Sequence, residues 1–476
     1  MMQTSISQVS VPLPKRAKWM AQAGSVCLML SIAMYGLVYA TLTAPILQAV
    51  NAMDYVGLFS IFAALGISIM TPIGGKLGDL LGRRNIVFIA GSMCAIAGLI
   101  FPFVDSLTLL LILRLIVSLA QGAFIAAPYI IVGLINDSKG RPKAMGMLAT
   151  AVAVGGVGGS ILAGWLTKIG HMQLGIILPT IPLVIGILLI VFSFPNDKRS
   201  GKIRIDVPGV LAFVAMLTSL SLALNFGASM GWGNPRIIAG LVLSVVLFFL
   251  FLAIERRASD PLIPLRLFSN KSYSLLLLTG FICYFYQTAM HVFAPLAVIS
   301  VLQKDPEVAG SLQMARALIT IILPLSAGIW VSRKASNSWK AMAIATLLAA
   351  IPMLALGFTQ QSTPVLLFTI ALAVTGIAES FRAVSVTPAA QATLQPQDMG
   401  VGTSLTNFFN SMASTISATV FTVAYNAHTI ADPRNLFAIQ SGVNSVFRIA
   451  AIVSFVGFLI VVLVLRPVLP KTQAKG

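Results

Sequence analysis

Two ionisable side chains, Glu379 and Arg382, lie inside a long apolar stretch of residues 363–390. Charged groups are costly within a membrane, so those that occur there are functional candidates. Three residues apart on a helix, the two share one face and can pair. Burial favours the neutral form of a carboxyl group and a guanidinium favours its charged form, so a carboxyl group under both influences can bind and release a proton. We therefore predict proton coupling at this pair; a permanent structural ion pair is the open alternative.

A second group of polar side chains points to a binding cavity in the same chain. Asn407 and Asn410 recur at helical spacing, and a helix facing lipid would not carry such amides, so they face a cavity or a neighbouring helix. Arg114 and Arg316 are two further charges within apolar stretches. For His291 alone, a satisfied structural role is the alternative. The predicted cavity residues are Tyr35, Tyr39, Gln121, Tyr284, Gln287, His291, Arg316, Asn407 and Asn410.

The composition identifies a polytopic membrane protein. The chain has 476 residues, of which 58% are hydrophobic and 9% are charged, whereas soluble domains carry about 25% charged residues. The net charge of +18 does not indicate nucleic acid, because the bases form short clusters between apolar stretches, where they orient the chain in the membrane. The three scattered cysteines predict neither a disulfide framework nor a metal site. No cofactor is expected.

Fourteen apolar stretches have the length that a bilayer requires. Most of the 31 lysines and arginines fall on one side if the N-terminus is cytoplasmic, which predicts an even number of spans and two cytoplasmic ends. The apolar run after Lys18 is longer than that of a cleaved signal, so we interpret it as the first span. The predicted spans are residues 23–49, 55–74, 86–104, 107–134, 144–167, 173–194, 207–227, 236–254, 273–302, 309–331, 340–358, 363–390, 400–427 and 446–465.

The turn between the second and third spans carries a dense motif. It resembles the signature loop of the major facilitator superfamily, Gly-x-x-x-Asp-Arg/Lys-x-Gly-Arg-Arg/Lys, and only Leu80 departs from the expected base. An acid among bases needs a partner, either a base or the positive end of a helix. The resemblance implies a latch that holds one conformation shut. The residues that match are Gly75, Asp79, Gly82, Arg83 and Arg84.

Small residues recur every four positions in the fifth span, which lets helices approach closely in lipid. The stretch resembles the antiporter motif of drug exporters, Gly-x-x-x-Gly-Pro-x-x-Gly-Gly. Gly155, Gly159 and Gly164 match, whereas Ser160 replaces the proline and Ala163 a glycine. Generic helix packing is the alternative, and the missing proline weakens the inference of antiport.

Two other family positions depart from the pattern of drug exporters. Ser118 stands where the family has an arginine before Gln121-Gly122, but Arg114 lies one turn earlier on the same face. We therefore add Arg114 to Glu379 and Arg382 as a proton-coupling candidate, with structural pairing or extension toward the interface as the equal alternative. In the first span, Gly36 stands where these exporters often carry an aspartate.

An internal repeat and an insert set the predicted domain organisation. The turn from Gly328 to Lys334 resembles a degraded copy of the Gly75–Arg84 turn, with Ser332 in the place of Asp79. The insert, including Asp260-Pro261-Leu262, resembles that of the fourteen-helix drug:proton antiporter branch. The resemblance implies an all-α major facilitator fold with two six-helix halves and two extra helices. The predicted segments are 1–22 (cytoplasmic), 23–194 (N-terminal half), 195–272 (linker with two extra helices), 273–465 (C-terminal half) and 466–476 (cytoplasmic tail).

The resemblance implies a secondary active transporter in the plasma membrane, not an enzyme, that exports amphipathic small molecules in exchange for protons. We expect a monomer, with both termini cytoplasmic and no nucleic-acid partner. The nearer alternative is a facilitator or exporter of a specific anionic metabolite, without obligatory proton coupling. Three intramembrane arginines against one acid favour neutral, zwitterionic or anionic substrates. A transporter-like receptor is the remote alternative.

Overall fold

The computed structural model describes residues 13–137, 139–196, 206–429 and 435–468, which are almost entirely helical and contain no strand. Helices predominate because a chain in lipid must satisfy its backbone hydrogen bonds internally. The helices are α1 (Lys15–Ala49), α2 (Val56–Leu81), α3 (Arg83–Ile100), α4 (Leu107–Phe124), α5 (Ala127–Ile135), α6 (Arg141–Lys168), α7 (Met172–Ile177), α8 (Thr180–Ser193), α9 (Val207–Met230), α10 (Pro235–Arg257), α11 (Lys271–Phe285), α12 (Ala294–Ser300), α13 (Pro306–Arg333), α14 (Asn337–Leu356), α15 (Val365–Ala392), α16 (Met399–Thr429) and α17 (Leu436–Leu459).

Several predicted spans are interrupted helices. The span predicted at 107–134 breaks between α4 and α5, and the span at 273–302 contains a π-helical segment between α11 and α12. The short segments are the 3₁₀ turns Met53–Tyr55, Phe101–Phe103, Leu265–Ser269 and Pro396–Asp398 and the π-helical segments Ala289–Phe293 and Ile460–Leu465.

The described residues form 13 helical segments long and apolar enough to cross a membrane. The remaining predicted span, 400–427, coincides with α16, which has 31 residues but is too polar to belong to that set. Its polarity follows from its position, because Asn407, Asn410 and Ser411 line an internal cavity. The prediction of an all-α, polytopic membrane protein is confirmed.

The helices pack as two bundles with an inserted pair. In the first bundle α1 packs against α6 and α8, and α2 against α4; in the second, α13 and α14 pack against α15, and α16 against α17. The bundles meet where α6 packs along α13 and α2 along α16. The inserted helices α9 and α10 pack against each other, and α9 also contacts α2 and α16.

Parts of the predicted segments lie outside the described residues. These parts are residues 1–12 of the N-terminal segment, 138 of the N-terminal half, 197–205 of the linker, 430–434 of the C-terminal half and 469–476 of the tail. The boundaries predicted at 194/195 and 272/273 stay predictions. The first falls between α8 and α9, whereas the second falls within the first turn of α11.

Candidate functional site

A cavity of about 590 Å³ lies between the two bundles, and its two walls differ in chemistry. The N-terminal wall, from α1 and α6, is largely apolar and includes Met29, Ile32, Leu37 and Val152. The opposite wall is polar and charged. Its side chains, from α11, the π-helical segment, α13, α15 and α16, are Tyr284, Gln287, His291, Gln313, Arg316, Thr320, Glu379, Ser380, Arg382, Thr387, Asn407, Asn410 and Ser411.

A continuous polar network crosses the C-terminal wall. Arg382 donates to both oxygens of Glu379, from Nε to Oε2 at 2.8 Å and from Nη2 to Oε1 at 2.5 Å. Gln287 Nε2 donates to the same Oε2 at 2.6 Å, while its Oε1 accepts from Arg316 Nη2 at 2.6 Å. Arg316 Nη1 lies 2.6 Å from His291 Nε2. Five side chains from three helical elements therefore form one chain of polar contacts.

Breaks in helix geometry present part of this network to the cavity. Gln287 lies between the end of α11 and the π-helical segment, and His291 lies within that segment. Single-turn π segments are rare and frequently occur at functional sites. On the preceding turn, the Tyr284 ring lies under Arg382, whose guanidinium carbon is 4.8 Å from the ring centroid. Such a contact adds a cation–π attraction to the ion pair.

Arg114 lies outside this cavity, in the core of the N-terminal bundle. Its guanidinium carbon is 4.5 Å from the Tyr39 ring centroid and 5.1 Å from that of Phe59. Tyr35 shares a hydrogen bond of 2.6 Å with Thr180, and Gln121 is buried. Of the predicted cavity residues, Tyr35, Tyr39 and Gln121 are thus in a packed core, whereas the other six line the cavity.

The Gly75–Arg84 turn lies where α2 meets the first turn of α16. Asp79 is buried and forms an ion pair with Arg83, four residues later in sequence and at the start of α3. A Cβ atom on Gly400 would clash with the Asp79 carboxylate, so that carboxylate lies against the N-terminal end of α16. Gly82 connects α2 to α3 with φ of 89°, a conformation that favours glycine. An acid at a helix N-terminus is favourably placed against the helix dipole.

Small residues on α6 let it approach α1 closely. A Cβ on Gly155 would clash with the Leu30 carbonyl group, and one on Gly159 would lie 2.9 Å from Met34 Cγ. Ser160 Oγ is 2.6 Å from Thr41 Oγ1, and Gly164 faces the same residue at 4.0 Å. The four motif residues therefore lie along the α1–α6 contact.

The sequence interpretation missed a segment that joins the insert to both bundles. Lys76 of α2 pairs with Asp260 and also donates to the Pro261 carbonyl oxygen at 3.0 Å. Farther along, Arg266 binds Asp398 with two hydrogen bonds of 2.8 and 2.6 Å, and these bonds raise the pKa of Arg266 above its ordinary value. The Asp260-Pro261-Leu262 sequence was the available signal, but sequence spacing alone did not identify its partners.

Among the described residues, no group of three or more histidine, cysteine, aspartate or glutamate side chains is arranged to hold a metal ion. The polar side chains that line the cavity are instead suited to hydrogen bonding and ion pairing with a small molecule. Such pockets typically measure 300–1,000 Å³ and combine apolar surface with a few polar groups.

Comparisons with known proteins agree with this architecture. The family model described as Major Facilitator Superfamily matches residues 24–418 and, in a second match, 276–476. Multidrug transporter protein MdtP of Bacillus subtilis is 25% identical over 365 residues, which are 76% of this chain and 66% of that protein. Multidrug resistance protein 3 of the same species is 26% identical over 399 residues, covering 80% and 75% of the two chains. The matched segment spans slightly less than two thirds of MdtP.

A solved structure shows the same fold. The proton:xylose symporter XylE superposes with a TM-score of 0.64 at 14% identity, covering 94% of this chain and 95% of that one. The predicted major facilitator fold is therefore confirmed, and at this identity the likeness concerns the fold alone.

Proposed function

Because this chain belongs to the Major Facilitator Superfamily, we propose that this multi-pass membrane transporter exports amphipathic small molecules in exchange for protons. Two of its relatives are named as multidrug transport or resistance proteins, which supports this substrate class. The observation that carries the proposal is the Glu379–Arg382 pair in the cavity wall. A carboxylate there is accessible to substrate and proton within one cavity, as exchange requires.

The network around Glu379 supplies a physical route for coupling. Its carboxylate accepts hydrogen bonds from Arg382 and Gln287, which lie on different helical elements. If rocking of the bundles changes the Glu379–Arg382 contact, the carboxyl group binds a proton in one conformation and releases it in the other. Substrate and proton then use the cavity alternately, and the proton gradient drives export.

The contacts between bundles fit alternating access around this cavity. Asp79 and Arg83, with the neighbouring glycines, form the proposed latch between α2 and α16. The latch holds one conformation until substrate or proton binding shifts the balance. We propose a monomer in the plasma membrane, with both termini and the latch on the cytoplasmic side, as the distribution of bases indicates.

Flux measurements in proteoliposomes test the proposal. Purified protein is reconstituted, and a pH gradient of either sign is imposed with a panel of anionic, neutral and cationic amphipathic fluorescent dyes. We expect uphill dye accumulation that follows the direction of the gradient and that an ionophore abolishes. If the dyes equilibrate across the membrane but never accumulate, the protein is a facilitator and proton coupling is rejected.

Two variants separate a proton carrier from a structural ion pair. Glu379→Gln should keep dye exchange and lose accumulation driven by the pH gradient. Glu379→Gln with Arg382→Met removes both charges and so avoids leaving a buried unpaired guanidinium, which is strongly destabilising. If the double variant regains full pH-driven accumulation, the pair is structural and Glu379 does not carry the proton.

A further inference from the structure

Arg316 is the cation in the cavity wall that lacks an anionic partner among the described residues. Its side chain is buried, with 8% of the residue surface exposed. Its two hydrogen bonds go to neutral groups, the Gln287 amide oxygen and the His291 ring nitrogen. Its Nε is buried and has no hydrogen-bond partner among the described residues. A buried guanidinium without a partner anion is costly, so its retention calls for an anion that binds there.

The neighbouring charges do not meet this need. The Glu379 carboxylate already takes two bonds from Arg382 and one from Gln287. Because His291 Nε2 accepts a bond from Arg316, the imidazole is neutral and adds no charge. Two arginines against one carboxylate therefore leave this wall with one excess positive charge.

The opposite wall limits what the anion can be attached to. Met29, Ile32, Leu37 and Val152 face the cavity from α1 and α6 and offer no charge. A small inorganic anion would leave this apolar surface against water, whereas an apolar body on the same molecule would cover it. The cavity volume of about 590 Å³ accommodates an organic molecule of two or more rings.

We propose that the cavity binds an amphipathic monoanion, with its carboxylate on Arg316 and its apolar body against α1 and α6. This inference rests on the proposed function, in which the same cavity is the transport site, and it names the class of substrate. Arginine suits the role because its planar fork binds a carboxylate through two hydrogen bonds. A cationic amphiphile would instead meet the excess positive charge of the C-terminal wall.

Three ligands that share a naphthyl ring system and differ in charge test the charge preference directly. Wild-type protein in detergent is titrated calorimetrically with 2-naphthoate, 2-naphthamide and trimethyl(2-naphthyl)ammonium. We expect naphthoate to bind at least about tenfold more tightly than naphthamide, as a charge-assisted hydrogen bond allows. The ammonium compound should bind most weakly. Equal binding of all three, a preference for the ammonium compound, or no binding of naphthoate overturns the proposal.

Variants then assign the carboxylate to Arg316. Arg316→Gln should lose the preference for naphthoate over naphthamide, whereas Arg316→Lys should retain it with weaker binding, because lysine keeps the charge and loses the fork. The matched control is Arg448→Gln, since Arg448 lies outside the cavity, donates to the Gly357 carbonyl oxygen at 2.8 Å and stacks on Phe358. Wild-type discrimination in Arg316→Gln places the anion elsewhere and overturns the proposal.

Thermal unfolding without ligand shows whether each variant is folded. If Arg316→Gln does not fold, the affinities of the Arg316→Lys variant and the order of the three ligand affinities in the wild type decide whether the anion binds Arg316.

The proteoliposome dye assay separates the anion-site proposal from the exporter proposal. Accumulation of neutral or cationic dyes by a protein that ignores naphthoate rejects the anion site and leaves the exporter intact. Naphthoate binding without flux of any dye or of naphthoate rejects the exporter and leaves the binding site.

Discussion

The two bundles that form the cavity differ in where they place their buried charges. The C-terminal wall presents Glu379, Arg382 and Arg316 to the cavity in one hydrogen-bonded network. The N-terminal bundle also contains a buried arginine, Arg114, but it encloses it between the rings of Tyr39 and Phe59, away from the cavity. One bundle therefore lines the cavity with charged side chains, and the other lines it with an apolar surface.

The two copies of the degenerate repeat also differ in charge, but here the N-terminal copy carries the charge and the C-terminal copy does not. In the N-terminal copy, Asp79 pairs with Arg83 beneath the first turn of α16. In the C-terminal copy, Gly328 lies against Pro142 of α6, as Gly75 lies against Ser404 of α16. Ser332, in the place of Asp79, donates to the Ile329 carbonyl oxygen of its own helix. The close packing of the repeat is kept in both copies, while the acid is present in one. Packing and charge are thus separable functions of this turn.

The largest expected effect comes from the packing of the apolar wall. Gly159→Leu should abolish dye transport, because the new side chain meets Met34 and forces α6 away from α1, at a cost of about 1–3 kcal/mol. Gly158→Leu is the matched control, since a Cβ there meets nothing within 4 Å. Proteoliposome flux and thermal unfolding check both. Equal flux in the two variants would show that the α1–α6 contact does not matter for transport.

The next effect concerns the charged copy of the repeat. Asp79→Asn should leave folding largely intact and reduce transport about tenfold or more, because the charge-assisted bond to Arg83 is lost. Ser332→Ala, in the other copy, should transport at the wild-type rate. Initial rates at matched reconstitution levels decide between them. A wild-type rate for Asp79→Asn would exclude the latch.

A smaller effect should distinguish two of the buried glutamines, Gln287 and Gln121. Gln287→Leu removes a partner of both Arg316 and Glu379 and should destabilise the protein by about 1–3 kcal/mol, with reduced transport. Gln121→Leu in the N-terminal bundle should cost little, because Gln121 Nε2 is buried without a hydrogen-bond partner among the described residues. Denaturation in detergent measures both. A larger loss for Gln121→Leu would contradict the contrast between the walls.

The smallest effect is expected at Arg114. Replacing a buried charge by an apolar side chain of similar length is often neutral or stabilising. The free energy of unfolding of Arg114→Met should therefore stay within about 1 kcal/mol of the wild-type value. The naphthoate affinity should also be unchanged, because Arg114 does not line the cavity. A stable Arg114→Met protein that loses pH-driven accumulation would instead assign proton coupling to the N-terminal bundle.

Within the site, sequence reasoning succeeded where one helix carries both partners. The spacing of Glu379 and Arg382 on α15 is enough to predict their contact, because one helical turn brings residues three or four apart together. Asp79 and Arg83 lie on either side of Gly82, in α2 and α3, so helical spacing does not predict their ion pair. Partners on different elements had no such signal. Asp260 and Lys76 are far apart in the chain, and nothing in their local sequence indicates that they pair.

The sequence by itself determined the membrane-spanning, all-helical fold, because apolar length and the need to satisfy the backbone in lipid leave few alternatives. It also indicated which face of α6 approaches a neighbouring helix closely, since small residues at a four-residue spacing act through local geometry. Only the tertiary structure decided which polar residues share the cavity. Tyr39 and Arg316 are both polar groups in apolar helices, but rotation of each helix within its bundle buries one among aromatic rings and turns the other toward the cavity. That rotation is set by packing against neighbouring helices, which no periodicity within a single helix specifies.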